Sequence, residues 1–156
     1  MSEITVGAPA PNFDLPDDKG GRMRLSDMKG RIVALYFYPK DDTPGCTAEA
    51  IAFSGLLKDF AAINATVVGV SPDSPDSHAK FREKCNLTVP LASDEERALV
   101  NDFGVWVKKV NYGREYMGVD RSTFLIDRDG KIARIWRKVK VDGHAQAVLD
   151  AARALG

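Results

Sequence analysis

Residues 32–38 form the longest wholly apolar run in the chain, IVALYFY, closed by Pro39. Rich in β-branched and aromatic side chains, the run predicts a central strand buried on both faces. Residues 65–70 repeat the pattern more briefly and predict a second strand. Between them Phe53, Leu56, Leu57, Phe60 and Ile63 recur at helical spacing, so a long helix follows the loop at 40–45. Ser74-Pro75 reads as a cap and a first-turn proline, opening a helix to about Asn86. Residues 90–92 predict a short strand, and Asp94 a cap for a helix over 95–103. Two runs at 122–126 and 131–136, joined by Asp127-Arg128-Asp129-Gly130, form the clearest hairpin. A helix over 143–155 closes the chain, with Ala145, Val148, Leu149, Ala152 and Leu155 on one face. At the other end, residues 1–12 read as an extended arm. A small hairpin pairs 13–15 with 23–25 around a Gly- and Asp-rich turn, and a short turn follows at 26–30. Alternating strands and helices predict an α/β fold with a mixed central sheet, and the length of 156 residues suits one domain, residues 1–156.

Charge and composition narrow the function classes. Lys plus Arg and Asp plus Glu both number 22, so the formal net charge is zero, which argues against a nucleic-acid binder. Basic side chains outnumber acids between residues 108 and 140, and a solvated hairpin edge accounts for that excess. No apolar run approaches a bilayer span, and the opening residues carry neither the basic nor the apolar part of an export signal. A cytoplasmic location with no membrane partner is expected. Two cysteines and two histidines, at 46, 78, 85 and 144, match no compact metal motif. His78 and His144 have no acid at a triad-like spacing and receive no role. Trp106, Tyr112, Tyr116 and Trp136 read either as packing residues or as the lining of a mouth or docking face.

The candidate chemistry sits at Cys46. The stretch Phe37-Tyr38-Pro39-Lys40-Asp41-Asp42-Thr43-Pro44-Gly45-Cys46-Thr47-Ala48-Glu49-Ala50 places this cysteine just after a buried strand and in the first turn of a helix. Backbone N–H groups there lack helical acceptors and the helix dipole favours negative charge, so both effects favour thiolate over thiol. Thr43 can offer its hydroxyl to the sulfur or to an incoming oxygen, and Pro39 and Pro44 stiffen the loop. Cys46 thus reads as an activated cysteine, against the alternative of a small buried hydrophobe. Thr47, Ala48 and Glu49 follow it, so no CxxC pair exists for dithiol exchange.

The pattern Pro39-x-x-x-Thr43-x-x-Cys46 resembles the active-site signature of the peroxiredoxins, thiol peroxidases built on a thioredoxin-like fold. The phrase from Phe37 to Ala50, the strand end Gly69-Val70-Ser71, and Arg121-Ser122-Thr123-Phe124-Leu125-Ile126-Asp127 resemble the bacterioferritin-comigratory, or Q-type, subfamily. The resemblance runs from about Val6 to Leu155. It implies that Cys46 is the peroxidatic cysteine, that Thr43 orients the peroxide, that Pro39 shields the pocket, and that Arg121 sits beside the sulfur. Glu49 is a weaker candidate, bracing that arginine. The implied substrates are hydrogen peroxide and small organic hydroperoxides. The implied reductant is thioredoxin, with glutaredoxin as a possible substitute. No cofactor is implied, because the cysteine itself supplies both electrons. The resemblance also leans towards a monomer.

The chain departs from its relatives at the resolving cysteine. The position five residues after Cys46, used by many members, is Ile51. The site in the next helix used by others falls on Arg82, and the one remaining thiol is Cys85, one turn later. Residues three apart share a helical face, so Cys85 is the candidate to replace that site as the resolving cysteine, forming an internal disulfide with Cys46, against the alternative of an inert core residue. A one-cysteine peroxidase reduced directly by an external thiol stays open. So does a different class, a non-catalytic thioredoxin-like interaction or holdase protein with a silent cysteine.

Overall fold

A computed structural model describes residues 4–155. The expected arm therefore falls partly outside the described residues, at 1–3, as does the last residue. Strand β3 (Ile32–Phe37) is buried at all six positions. Its alternate residues serve two cores. Ile32, Ala34, Tyr36 and neighbouring Tyr38 enter one hydrophobic cluster, whereas Val33, Leu35 and Phe37 enter another. Covering on both faces is why the strand is a continuous apolar run and not an alternating one.

Around β3 lies a five-stranded sheet in the order β5-β4-β3-β8-β9, formed with β4 (Ala65–Ser71), β5 (Leu91–Ser93), β8 (Ser122–Ile126) and β9 (Ile132–Trp136). Strands β3, β4 and β5 run parallel, and β8 and β9 are antiparallel to their neighbours. The first cluster packs Tyr36 and Tyr38 against Phe53 and Phe60 of α1 (Pro44–Ala62), Phe81 of α2 (Pro75–Cys85), and Val148 and Leu149 of α4 (His144–Ala154). The second takes Leu99 and Val100 of α3 (Ala98–Asp102), with Phe103 and Phe124 edge-on at 4.8 Å. Gly69 makes room for the first cluster: a Cβ there would lie 2.6 Å from Tyr36 Cζ. The Tyr36 ring instead crosses β4 freely and stacks on Phe53 at 4.6 Å. A short hairpin, β1 (Asp14–Pro16) with β2 (Arg22–Arg24), precedes a 3-10 turn at Leu25–Met28. This is the expected thioredoxin-like α/β arrangement with an N-terminal hairpin.

Two elements differ from expectation. Helix α3 begins at Ala98 and not at residue 95, because Arg97 adopts a left-handed conformation with φ 63°. Asp94 still caps it, accepting from the N–H groups of Leu99 and Val100 at 3.2 and 2.9 Å. The second difference is a separate hairpin, β6 (Trp106–Asn111) with β7 (Arg114–Val119), which the residue pattern did not announce. Most of its side chains are exposed, so burial imposes no clean alternation. Its turn is Tyr112-Gly113, both at positive φ, without the usual Asn or Asp in the first position. The basic residues Lys108 and Arg114 belong to this exposed ribbon, where Lys108 pairs with Glu115 at 2.9 Å. Tyr112 is fully exposed at its tip. Trp106 and Trp136 are half-buried instead, each beneath a guanidinium, from Arg97 and Arg134 respectively. No helix among the described residues is long and apolar enough to cross a membrane.

Candidate active site

Strand β3 delivers the chain to the head of α1. Thr43 occupies the cap position in an extended conformation, Pro44 opens the helix, and Cys46 lies in its first turn, buried at 1% exposure. Thr43 makes no side-chain cap. Its hydroxyl donates instead to the Lys40 carbonyl at 2.9 Å. That bond uses its proton, so Thr43 presents lone pairs and cannot at the same time donate to the sulfur. Pro39 is half-buried immediately after β3.

Sheet register brings in the distant arginine. Phe37 pairs with Ser122 across β3 and β8, so Arg121 emerges opposite the point where β3 passes into the loop. Its Nη2 donates to Cys46 Sγ at 3.2 Å across 75 residues of sequence, and its Nη1 donates to Glu49 Oε1 at 2.6 Å. Gly45 permits that approach, since a Cβ would sit 3.1 Å from Nη2. Glu49 is buried, and its other oxygen, Oε2, has no partner among the described residues. Burial pushes its carboxyl up to about 7, against the opposing pull of Arg121. A half-satisfied buried carboxylate has good reason to hold its proton.

The two histidines left without a role are both buried hydrogen-bonding groups. His144 Nε2 meets Thr123 Oγ1 at 2.7 Å, two residues beyond Arg121. Burial, and then the Arg121 charge, hold its imidazole down at about 4. His78 Nδ1 meets Asp41 Oδ2 at 2.7 Å, and Tyr38 Oη donates to Asp41 Oδ1 at 2.6 Å. Asp41, Asp73 and His78 bring possible ligand atoms within 4.8 Å of one another. Hydrogen bonds within the group and to its neighbours already engage all three. A sequence search for Cys and His spacings misses them because two of the three are acids from separate loops.

The second thiol, Cys85, ends α2 and packs half-buried against the hydrophobic cluster that also contains Cys46. Both thiols are free. Ile51 is half exposed on α1. Arg82 does structural work: its guanidinium pairs with Asp18 at 2.5 Å and donates to the carbonyls of Leu87 and Val89. It ties α2 to the turn between β1 and β2.

A sequence profile described as the AhpC/TSA family matches residues 6–135. The chain is 50% identical over 146 residues to peroxiredoxin Bcp of Bacillus subtilis, covering 94% of this chain and 93% of that protein. The chain belongs to the AhpC/TSA family. Within it, the matches place the chain among Bcp/PrxQ-type peroxiredoxins. A crystallised variant of Xylella fastidiosa PrxQ superposes with a TM-score of 0.93 at 41% identity, covering 99% of this chain and 98% of the other. The Xanthomonas campestris bacterioferritin comigratory protein, described for its alkyl peroxide reduction, superposes with a TM-score of 0.89 at 40% identity, covering 96% and 98%. As a peroxiredoxin, the chain is an enzyme that reduces peroxides through a cysteine and is recycled by thiols. A silent-cysteine holdase is set aside by that membership.

Proposed function

We propose that Cys46 is the cysteine that attacks peroxide, that Cys85 resolves it, and that thioredoxin, with glutaredoxin as a substitute, returns the enzyme to its dithiol form. In this reading residues 1–156 act as one catalytic domain, monomeric and cytoplasmic, on hydrogen peroxide and small organic hydroperoxides. One observation carries it: a buried sulfur in the first turn of an uncapped helix, 3.2 Å from an arginine nitrogen.

The helix head and the Arg121 guanidinium set positive charge beside Cys46 Sγ. Cys46 Sγ attacks one peroxide oxygen and the O–O bond breaks. The other oxygen departs with the electron pair, supported by Arg121, and leaves as water or alcohol once protonated. Thr43 accepts a hydrogen bond from the peroxide O–H, as its committed hydroxyl proton allows. Pro39 walls the site without adding an N–H donor. Glu49 is a positioning residue that holds Arg121. Cys46 becomes a sulfenic acid, which condenses with a thiol to a disulfide. A one-cysteine cycle has one observation in its favour, namely that Ile51 and Arg82 stand at both positions where the resemblance expects a second cysteine.

Intact-mass analysis after one equivalent of peroxide tests both halves. Loss of two hydrogens, with a peptide map linking residues 46 and 85, supports the two-cysteine cycle. A lasting gain of one oxygen gives the one-cysteine cycle. Cys46→Ser should abolish peroxide turnover with the fold intact, because a serine hydroxyl stays protonated near neutrality. Retention of a tenth of the rate would overturn Cys46 as the attacking group. Cys85→Ser should leave the first oxidation unchanged while thioredoxin-coupled turnover collapses.

A further inference from the structure

The loop that leads into the Cys46 helix is gripped from the side by the helix that carries Cys85. Asp41, buried in that loop, accepts hydrogen bonds from Tyr38 Oη at 2.6 Å, Ser77 Oγ at 2.8 Å and His78 Nδ1 at 2.7 Å. Its own N–H donates to Asp73 Oδ2 at 2.8 Å. His78 is fully buried in α2, and its second ring nitrogen, Nε2, faces the Ala92 carbonyl at 3.0 Å. A carboxylate on one side and a carbonyl on the other are both acceptors. The ring thus bridges the loop carboxyl to the backbone of β5, a buried hydrogen-bonded pair between loop and helix. The next loop residue, Asp42, stands at φ 61° and bonds Lys84 Nζ at 2.8 Å. Ser77, His78 and Lys84 of one helix thus hold two consecutive residues of the loop. Asp42 keeps its unusual conformation within those contacts.

We propose that Asp41 and His78 are positioning residues for Cys46: their buried pair latches the loop onto α2 in the peroxide-reactive geometry and must open before Cys46 is resolved. The first half concerns Cys46 alone, and the second rests on the reading of Cys85 given above. The latch is two-state for a physical reason. Separating a buried hydrogen-bonded pair part-way leaves each polar group without water and without its partner, so intermediate positions are disfavoured. Closed, the pair fixes the loop through Tyr38, Asp41 and Asp42, and with it Thr43 and the head of α1. Open, it frees the loop and α2 to move relative to one another. The Cys85 sulfur then attacks Sγ of the Cys46 sulfenic acid. An S–S bond forms, the S–O bond breaks, and hydroxide leaves as water with the proton given up by Cys85. Peroxide has already supplied the oxidising equivalents in the first step, so no further oxidant enters.

The latch predicts changes of opposite sign in the two steps. The test mixes reduced enzyme with hydrogen peroxide, quenches it at intervals with acid, and resolves thiol, sulfenic, disulfide and sulfinic forms by intact mass. In Asp41→Asn, which keeps shape and loses charge, and in His78→Leu, the first oxidation should slow about tenfold. Disulfide formation should accelerate about tenfold, the scale of one charge-assisted hydrogen bond. Less sulfinic acid should accumulate at a given peroxide dose. Lys84→Ala, on an exposed pair that carries no folding risk, should shift both steps in the same senses by about twofold. Both steps slowed by one factor, or a lowered melting temperature with neither step altered, would make these residues structural and overturn the latch. A wild type that never forms the 46–85 linkage would refute Cys85 and the opening half of the proposal. The holding half is then decided by the first step, upheld by a tenfold fall and overturned by unchanged rates.

Discussion

Helices α1 and α2 open with the same local grammar and acquire different chemistry. Each has a hydroxyl residue at the cap and a proline at the first helical position, Thr43-Pro44 and Ser74-Pro75. At α2 the Ser74 hydroxyl accepts from the Ser77 N–H at 3.1 Å, an ordinary cap. At α1 the Thr43 hydroxyl turns back to the Lys40 carbonyl and leaves the helix head uncapped. A capped head is stable and chemically quiet. An uncapped one gives up about 1 kcal/mol of helix stability and leaves first-turn N–H groups and the positive end of the dipole beside a sulfur. The acids differ in the same sense: Asp76 in the first turn of α2 is exposed, whereas Glu49 near the head of α1 is 1% exposed. Only at α1 does a distant arginine close over the helix end.

The comparison breaks most sharply at Arg121. If its charge adds to what the helix head provides, Arg121→Ala should lower the second-order rate with peroxide roughly 30- to 1000-fold, the scale of about 2–4 kcal/mol of lost transition-state support. Stopped-flow oxidation measures it, and an unchanged rate would mean that the uncapped head alone suffices. Gly45→Ala, which crowds the same guanidinium without removing its charge, should produce a smaller loss of about tenfold.

A second test uses the buried Glu49, which α2 does not match. Its folded carboxyl titrates near 7 against an ordinary 4.5, so the folded protein keeps this proton longer than the unfolded chain. The resulting stability is present below about 4.5 and is lost as pH rises towards 7, by up to about 3 kcal/mol. His144 acts in the opposite sense. With its folded imidazole near 4 against an ordinary 6.5, its contribution is present above 6.5 and is lost as pH falls towards 4. Between about 4.5 and 6.5 the two slopes oppose. Urea unfolding across this window should be flat in the wild type, should rise with pH in Glu49→Gln, and should fall with pH in His144→Gln. Identical profiles in all three proteins would remove both residues from the linkage.

The smallest effect separates the two caps. Ser74→Ala should lower stability by about 1 kcal/mol with the peroxide rate unchanged. Thr43→Ala should slow the peroxide step with a stability change under about 0.5 kcal/mol, because no cap is lost. Denaturant melts paired with rate measurements show whether the two substitutions dissociate in this way.

Much of the fold was legible because its signals are local. The apolar run of β3, the Ser74-Pro75 start and the Asp127–Gly130 turn each express a preference that a few neighbouring residues satisfy among themselves. The hairpin of β6 and β7 was not legible, since exposed strands have no buried face to enforce a period. In the site, the contrast is the same. Cys46 at a helix head follows from a strand, a proline-bounded loop and a helical pattern in succession. The contact between Asp41 and His78 spans 37 residues and joins a loop to a helix, so spacing carries no trace of it.

By itself, then, the sequence determined where the Cys46 sulfur stands along its own helix, since that depends only on residues within a turn or two. Resemblance added the expectation that Arg121 lies near it. The tertiary structure alone decided the contacts. Antiparallel pairing of β8 with β3 carries Arg121 over Cys46, and Gly45 leaves the space for it. Packing of α2 beside the loop engages Asp41 and Asp42, and the Lys40 carbonyl, rather than the helix, takes the Thr43 hydroxyl. The physical reason is that capping and periodicity are satisfied within one segment of chain. A hydrogen bond between segments exists only after sheet register and helix packing have set both partners in place.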